Sequence, residues 1–414
     1  MLIQFNFANH RSFWQEASLD LSAARISEYP EHVVDCGEEK VLKLAVLYGA
    51  NASGKSNVVS AFKLMHNMVL RSHTFAMDMK DDEIKPMRNE PFALELEARK
   101  SPSLFEVYFT LPDEPQTVWQ YGFELGGALI EREWLYQKSA REARSRTIFE
   151  REGLELLVAD EAMRGFQDNL RMSLGEKQLV LSLGAALKIT VLESIRQWFY
   201  HNDILDFNNI MNEWRRSHML PKGFVDDASV QEEVLRYLAA FDENGIKGFE
   251  VEQMPDEEGG RYRVYTKHLS AEDESMTKLS LADESGGSLK MLAIYQELKD
   301  VLAHGGVLMA DELNAKLHPL LLRKLILTFL DKRTNPNQAQ LIFTTHDTWL
   351  LSEDLLRRDE IWLVNKNEQG ASELYSLAEF KIDEKKIRKD ENYEKNYLMG
   401  KYGAIPHLSD LLQG

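Results

Sequence analysis

The 414-residue chain has one cysteine, Cys36, which excludes a disulfide framework and a cysteine-rich zinc site. It has no uncharged apolar run near the ~18–20 residues that a membrane-spanning helix needs. Its amino terminus alternates like a β-strand and does not pass from a basic to an apolar stretch, as a secretory leader would. A cytoplasmic protein is expected, with no membrane partner. Basic charge is also short: 67 acids against 49 bases leave a net charge of −18. Nucleic-acid affinity rests on phosphate neutralisation, and no global basic field exists to supply it. The local clusters are Arg141, Arg144 and Arg146; Arg215 and Arg216 beside Trp214; and Lys385, Lys386, Arg388 and Lys389. Each is interleaved with or flanked by acids, the pattern of a solvated face, so direct DNA binding stays open without being indicated. Internal repeats and low-complexity linkers are absent too. The 44% hydrophobic content suffices for one large core or two smaller ones.

Against this background, residues 49–56 read Gly-Ala-Asn-Ala-Ser-Gly-Lys-Ser and follow the apolar run Leu44–Tyr48. This is a complete GxxxxGK[ST] phosphate-binding loop in strand-before, helix-after context. Glycines let several backbone N–H groups converge on phosphate oxygens at the start of a helix, whose dipole favours an anion. Lys55 is expected to reach the β- and γ-phosphates and the Ser56 hydroxyl to sit on Mg²⁺. Gly49, Ala50, Asn51, Ser53, Gly54 and Asn57 complete the expected nucleotide contacts. A glycine-rich turn with a surface lysine is the bland alternative.

Far downstream, Gly306–Glu312 is an apolar strand ending in two carboxylates. Asp311 is suited to hold Mg²⁺ and Glu312 to polarise an attacking water, although an Asp-Glu pair also suits a solvated helix start. Before it, Ser285-Gly286-Gly287-Ser288 opens a helix-patterned stretch running to about Ala303; such a turn offers free N–H groups and hydroxyls to a γ-phosphate, or is simply an N-cap. After it, Gln340–Thr345 reads as a buried strand delivering His346 and Asp347 at its carboxyl end, where ligand groups of open α/β sheets gather.

In this order, phosphate loop, Ser-Gly-Gly signature, Asp-Glu strand and switch histidine resemble the ABC-type ATPases. The resemblance implies an α/β ATPase head of two lobes, ATP and Mg²⁺ as cofactors, Glu312, His346 and Lys55 as catalytic residues, and Ser56 and Asp311 as metal ligands. It further implies a homo-oligomer, at least a dimer, in which Ser285, Gly286, Gly287 and Ser288 complete the partner's site, so hydrolysis is slow and dimer-dependent. Lys55 and Glu284 are 229 residues apart, about twice the transporter spacing, which disfavours a transporter domain. The gap holds aromatic alternating strands such as Phe105–Phe109 and Trp119–Phe123, without the sustained heptads of a long coiled coil.

The chain is similar to bacterial AAA-type ATPases related to the OLD and SMC ATPases, the family of RloA and the AbiL abortive-infection ATPase. The resemblance covers most of the chain: Met1–Phe7 leading into Asn9–Phe13, the phosphate loop, Asp311-Glu312-Leu313, Leu317-His318-Pro319, Thr344–Asp347 and the tail Tyr402-Gly403-Ala404-Ile405-Pro406. Ser288 stands where relatives often have Thr, and Asn314 replaces a common acid. A glutamine loop has no unique position among Gln116, Gln120 and Gln137. The resemblance implies a sensor and regulatory scaffold of an anti-phage system, controlling a separate effector such as an RloB-like or Toprim-type protein in response to a phage trigger. An SMC- or repair-like ATPase that processes or clamps DNA is the alternative. His346 is followed by 68 residues without an Asp-x-Asp, so a Toprim nuclease within this chain is not expected.

Three regions are expected. Residues 1–155 form an N-terminal ATPase lobe: the phosphate loop, its helix over about 55–70, a surface loop over 78–89, and an antiparallel subdomain with strands near Phe92–Leu96, Phe105–Leu111, Val118–Leu125 and Leu129–Tyr136. Residues 156–245 form a helical insertion, with apolar stripes from Leu179 to Ile195 and from Val234 to Phe241. Residues 246–414 form the second lobe, with a hairpin at 256–260, a strand at Ile361–Val364 and a charged, helical or partly disordered stretch over 381–395.

Overall fold

The computed structural model describes residues 1–75, 87–139, 144–207, 220–242, 245–253, 262–270, 275–351, 355–382, 385–387 and 391–405. The alternating segments build an antiparallel sheet. Strand β1 (Leu2–Ala8) lies between β2 (Ala17–Asp20) and β6 (Ser103–Leu111). The sheet continues through β7 (Glu114–Gly126), β8 (Leu129–Ser139), β9 (Arg146–Glu152) and β10 (Glu155–Val158). Between β2 and β6 in the chain come the ribbon of β3 (Val33–Cys36) and β4 (Glu39–Leu42), and then β5 (Leu44–Tyr48).

The continuous apolar runs build a second sheet, buried on both faces as parallel strands are. Its order is β11 (Asp203–Asp206), β15 (Val307–Asp311), β16 (Gln340–Thr344), β5, β17 (Ile361–Lys366) and β18 (Ser372–Ser376). Only β18 runs antiparallel. Thus β5, which carries the phosphate loop, is flanked by β16 and β17.

Because side chains alternate along a strand, this sheet feeds two cores. Ala45, Leu47, Val307, Met309, Ile342, Trp362 and Val364 face the core shared with the antiparallel sheet. Leu44, Val46, Leu308, Ala310, Leu341, Phe343, Ile361 and Leu363 face the other. Helix α1 (Lys55–Arg71) fills the first layer, where Phe62 meets Phe5 edge-on at 5.3 Å. Helices α2 (Val180–Ala186) and α3 (Thr190–Tyr200) join it, and Trp198 stacks on Phe109 at 4.2 Å. Helices α4 (Ala228–Phe241), α5 (Gly286–His304) and α6 (Pro319–Leu330) cover the opposite face. A three-stranded sheet of β12 (Gly248–Gln253), β13 (Tyr262–Leu269) and β14 (Met276–Ser280) precedes α5. Gln340 ties the two large sheets: its amide donates to the carbonyls of Leu2 (2.8 Å) and Leu42 (2.9 Å) and accepts from the Leu2 N–H (2.6 Å).

The structure departs from sequence expectation in several places. Phe92–Leu96 is a turn, not a strand: Phe92 alone is buried, its N–H held by Asn9 Oδ1, while Leu94 and Leu96 are exposed. The stripe from Leu179 to Ile195 is two helices, broken where Lys188 takes a left-handed φ of 60°. The expected helical region also contains β11, paired with β15. Within 381–395, two short strands, Lys381–Ile382 and Lys385–Lys386, precede helix α7 (Tyr393–Leu398). The hairpin at 256–260, most of the loop at 78–89, Arg141, Trp214, Arg215, Arg216, Arg388, Lys389 and Pro406 lie outside the described residues. No helix among the described residues is long and apolar enough to cross a membrane.

Candidate functional site

The loop between β5 and α1 passes through a gap too narrow for side chains at its glycines. A Cβ on Gly49 would overlap the Val364 carbonyl, and one on Gly54 would overlap the hydroxyls of Ser372 and Ser12. Gly54 also has φ 115°, where L-residues are strained. The loop is braced from outside: Ser372 Oγ donates to the Ser53 carbonyl (2.5 Å) and lies 2.7 Å from Ser12 Oγ, which accepts from Asn57 Nδ2 (2.6 Å). Asn51 is exposed, Ser56 and Asn57 half-buried. Ser53 Oγ is buried without a hydrogen-bond partner among the described residues. Lys55, buried at the first position of α1, donates from Nζ to the carbonyls of Gly49 (2.8 Å) and Ala50 (2.9 Å). Burial lowers its pKa to about 8, against the opposing pull of Asp311 and Glu312.

Those two acids close β15. Asp311 is buried and accepts from Thr344 Oγ1 at 2.6 Å, and the same hydroxyl accepts from the Glu312 N–H at 2.8 Å. Glu312 takes a left-handed φ of 52° and carries its carboxylate to 3.7 Å from His346 Nε2. Burial, then the nearby Lys55 charge, push the His346 pKa below its ordinary value, while Glu312 and Asp311 act the other way. The imidazole is therefore neutral near pH 7. Lys55, Asp311, Glu312 and His346 thus share one electrostatic cluster at the carboxyl ends of adjacent parallel strands.

Ser285–Ser288 form a separate turn. Ser285 caps α5, its Oγ accepting from the Ser288 N–H (3.1 Å) and lying 2.9 Å from Ser288 Oγ. Gly286 is exposed, and a Cβ on Gly287 would come to 3.4 Å from the Lys316 carbonyl. Glu284, just before the turn, accepts from Thr266 Oγ1 (2.5 Å) and contacts His268 Nε2 (2.6 Å), both on β13. One side chain joins this helix to the acidic strand: buried Lys290 donates to the carbonyls of Glu312 (3.2 Å), Leu313 (2.8 Å) and Ala315 (2.7 Å).

Sequence reasoning missed several of these supports. Lys290 lies two residues beyond the Ser285–Ser288 turn with no signal of its own, Ser12 appears only inside the Asn9–Phe13 run, and Ser372 carries no signal. Gln116, Gln120 and Gln137 all sit in the antiparallel sheet, Gln120 bonded to Glu106 at 2.7 Å. Arg146 pairs with Asp160. A cavity of about 790 Å³ lies apart from the cluster, lined by Tyr237, Phe241, Tyr295, Leu302 and Leu327.

No curated protein matches the sequence. Among solved structures, the SMC head domain from Thermotoga maritima is similar at 13% identity and TM-score 0.40, covering 92% of this chain and 99% of that one. An SMC head bound to the C-terminal winged-helix domain of ScpA gives 15%, 0.42, 91% and 97%. An SMC head with an extended coiled coil, bound to the C-terminal domain of ScpA derived from Pyrococcus furiosus, gives 13%, 0.39, 91% and 96%. A family model matches residues 44–352, from the start of β5 to beyond His346. With three-quarters of its length so matched, this chain belongs to the family described as "AAA domain, putative AbiEii toxin, Type IV TA system".

Proposed function

We propose that the protein binds ATP with Mg²⁺ and hydrolyses it slowly, as a dimer or larger homo-oligomer, to regulate a separately encoded effector of a bacterial anti-phage system. The observation that carries this is the convergence of Lys55, Asp311, Glu312 and His346 on the phosphate loop. The loop fits a polyphosphate: it leads into the N-terminus of α1, whose dipole favours an anion, and Ser53 Oγ is buried with no hydrogen-bond partner among the described residues. Ser56 and Asp311 would hold Mg²⁺ together with the phosphates, as suits an ion that keeps few protein ligands. When bound, that ion neutralises charge developing on the phosphoryl group.

The residues then divide the work. Lys55 exchanges its loop carbonyls for β- and γ-phosphate oxygens, with gain of a charge-assisted contact. Glu312 accepts the proton of an attacking water, and His346, neutral, donates a hydrogen bond toward the γ-phosphate. Ser285 and Gly286 are exposed and Gly287 and Ser288 half-buried at the cap of α5, which suits completion of a partner subunit's site. ATP bound between two copies would shift the population toward the closed dimer by its differential affinity for the two states.

The toxin–antitoxin description of the family and the RloA- and AbiL-like motifs support the defence setting. The test is steady-state ATP hydrolysis, alone and with duplex DNA, beside the mass of the ATP-bound Glu312→Gln protein. Weak, DNA-independent turnover with an ATP-stabilised dimer or ring is expected. Strong stimulation by DNA would replace the regulatory scaffold with a DNA-processing ATPase.

A further inference from the structure

The chain returns to the phosphate loop near its described end. Helix α7 is capped by Asn392, whose Oδ1 accepts from the Lys395 N–H at 2.7 Å. Its buried Tyr397 meets the ring of Tyr48, the last residue of β5, edge-on at 5.9 Å. The Tyr397 hydroxyl donates to the Ala404 carbonyl at 3.2 Å and lies within hydrogen-bonding reach of the Gly49 backbone N–H. On the same helix, Glu394 Oε1 accepts from Thr348 Oγ1 at 3.0 Å, two residues beyond His346. Tyr48 closes the circuit, donating to the Asp347 carbonyl at 3.3 Å.

The helix is itself fixed from behind. Tyr402 is buried; its hydroxyl accepts from Asn396 Nδ2 (3.1 Å), and its carbonyl accepts from the hydroxyl of Tyr375 on β18 (2.7 Å). One short helix therefore touches the first residue of the phosphate loop through Tyr397 and the segment after the switch histidine through Glu394. These two segments belong to neighbouring strands, β5 and β16, whose ends carry the groups that must meet on one phosphate.

We propose that Tyr397 and Glu394 are positioning residues of the ATPase site, holding the Gly49 peptide and the His346 segment in one frame so that loop and histidine address the same γ-phosphate. The inference rests on the proposed ATP hydrolysis. A misaligned histidine costs more in the transition state than in the ground state, because an ångström of displacement weakens contacts realised only there. Loss of the frame should therefore lower kcat while leaving ATP affinity nearly unchanged.

The experiment compares wild type, Tyr397→Phe, Glu394→Ala, Thr348→Val, the Glu394→Ala/Thr348→Val double variant and Glu394→Gln, in ATP turnover and in equilibrium binding of ATP. Tyr397→Phe, Glu394→Ala and Thr348→Val are expected to turn over about tenfold more slowly, with ATP dissociation constants within about threefold of wild type. The double variant should lose no more than either single one, since both remove one contact. Glu394→Gln, which keeps an accepting oxygen, should retain the wild-type rate. The proposal is overturned if Tyr397→Phe and Glu394→Ala both turn over within about twofold of wild type, or if turnover, ATP affinity and melting temperature fall together, the mark of a merely structural contact. Wild-type protein that neither binds nor hydrolyses ATP would defeat the proposed function itself, and this inference with it.

Discussion

Lys290 Nζ lies 2.8 Å from the Leu313 carbonyl, so the helix that opens at Ser285 is fastened to the exit of the acidic strand by a buried cation. The same ammonium serves the carbonyls of Glu312 and Ala315 and sits 3.9 Å over the ring of Phe207. A change at the Ser285–Ser288 turn has a short route to Glu312, the residue proposed to activate water.

Lys290→Met keeps most of the stem and removes the charge, leaving three carbonyls without this donor. We expect a loss of about 2–4 kcal/mol in unfolding free energy, measured by urea denaturation. Turnover should also fall in those molecules that remain folded. An unchanged denaturation midpoint would show that water replaces the ammonium at no cost.

Thr344 bridges the acids by donating to Asp311 and accepting from the Glu312 N–H. Thr344→Val removes both bonds without changing shape. With the bond to the Asp311 carboxylate worth about 1.5–3 kcal/mol, turnover is expected to fall roughly 10–100-fold. ATP binding should survive, and Thr344→Ser should restore the rate. Retained turnover in the valine variant would mean that the left-handed Glu312 backbone is held by other contacts.

The pKa of Lys55, lowered to about 8 by burial, makes nucleotide affinity depend on pH. Phosphate oxygens favour the ammonium, so binding takes up a proton once the free site has lost it. Affinity is expected to be level below about pH 7.5 and to fall by up to about tenfold per unit above pH 8. Calorimetry in two buffers of different protonation enthalpy reads that proton directly. For folding without nucleotide the sign is reversed. Between about 8 and the ordinary lysine value near 10.4, the unfolded chain holds the extra proton, so this group's contribution to stability rises with pH.

Gly54→Ala places a methyl group against the hydroxyls of Ser372 and Ser12 at a φ of 115°. The backbone alone costs about 1–3 kcal/mol. We expect ATP binding to be lost and the melting temperature to fall by several degrees. Ser372→Ala, paired with Gly54→Ala, should recover part of the stability by opening the gap.

The site was legible wherever its chemistry is consecutive in sequence. Gly49–Ser56, the Asp311–Glu312 pair and the Ser285 cap each announce themselves through local residue types at fixed spacing, and the strands and helices that carry them fall where apolar runs and helical stripes place them. Contacts between distant segments have no such signal. Ser12 and Ser372 brace one loop from 360 positions apart, and a lone serine hydroxyl has no pattern by which to be found. Local pattern also misled at Phe92–Leu96, where an alternation of apolar residues is overruled by the Asn9 side chain capturing the Phe92 N–H. Lys188 likewise splits what reads as one stripe into two helices.

Because β5 pairs, among the described residues, with β16 and β17 alone, the strand bearing the phosphate loop has no sheet neighbours until those later strands are made. At ~5–20 residues per second, the ~300 residues that separate β5 from its second neighbour take roughly 15–60 s to emerge. Through that interval the Gly49–Ser56 segment exists as sequence without a scaffold. The acidic strand and the switch histidine are made before β17 arrives to enclose it. A truncated chain ending before β16 would leave β5 without either of these sheet partners, so the proposed nucleotide binding would report that β16 and β17 have both been made.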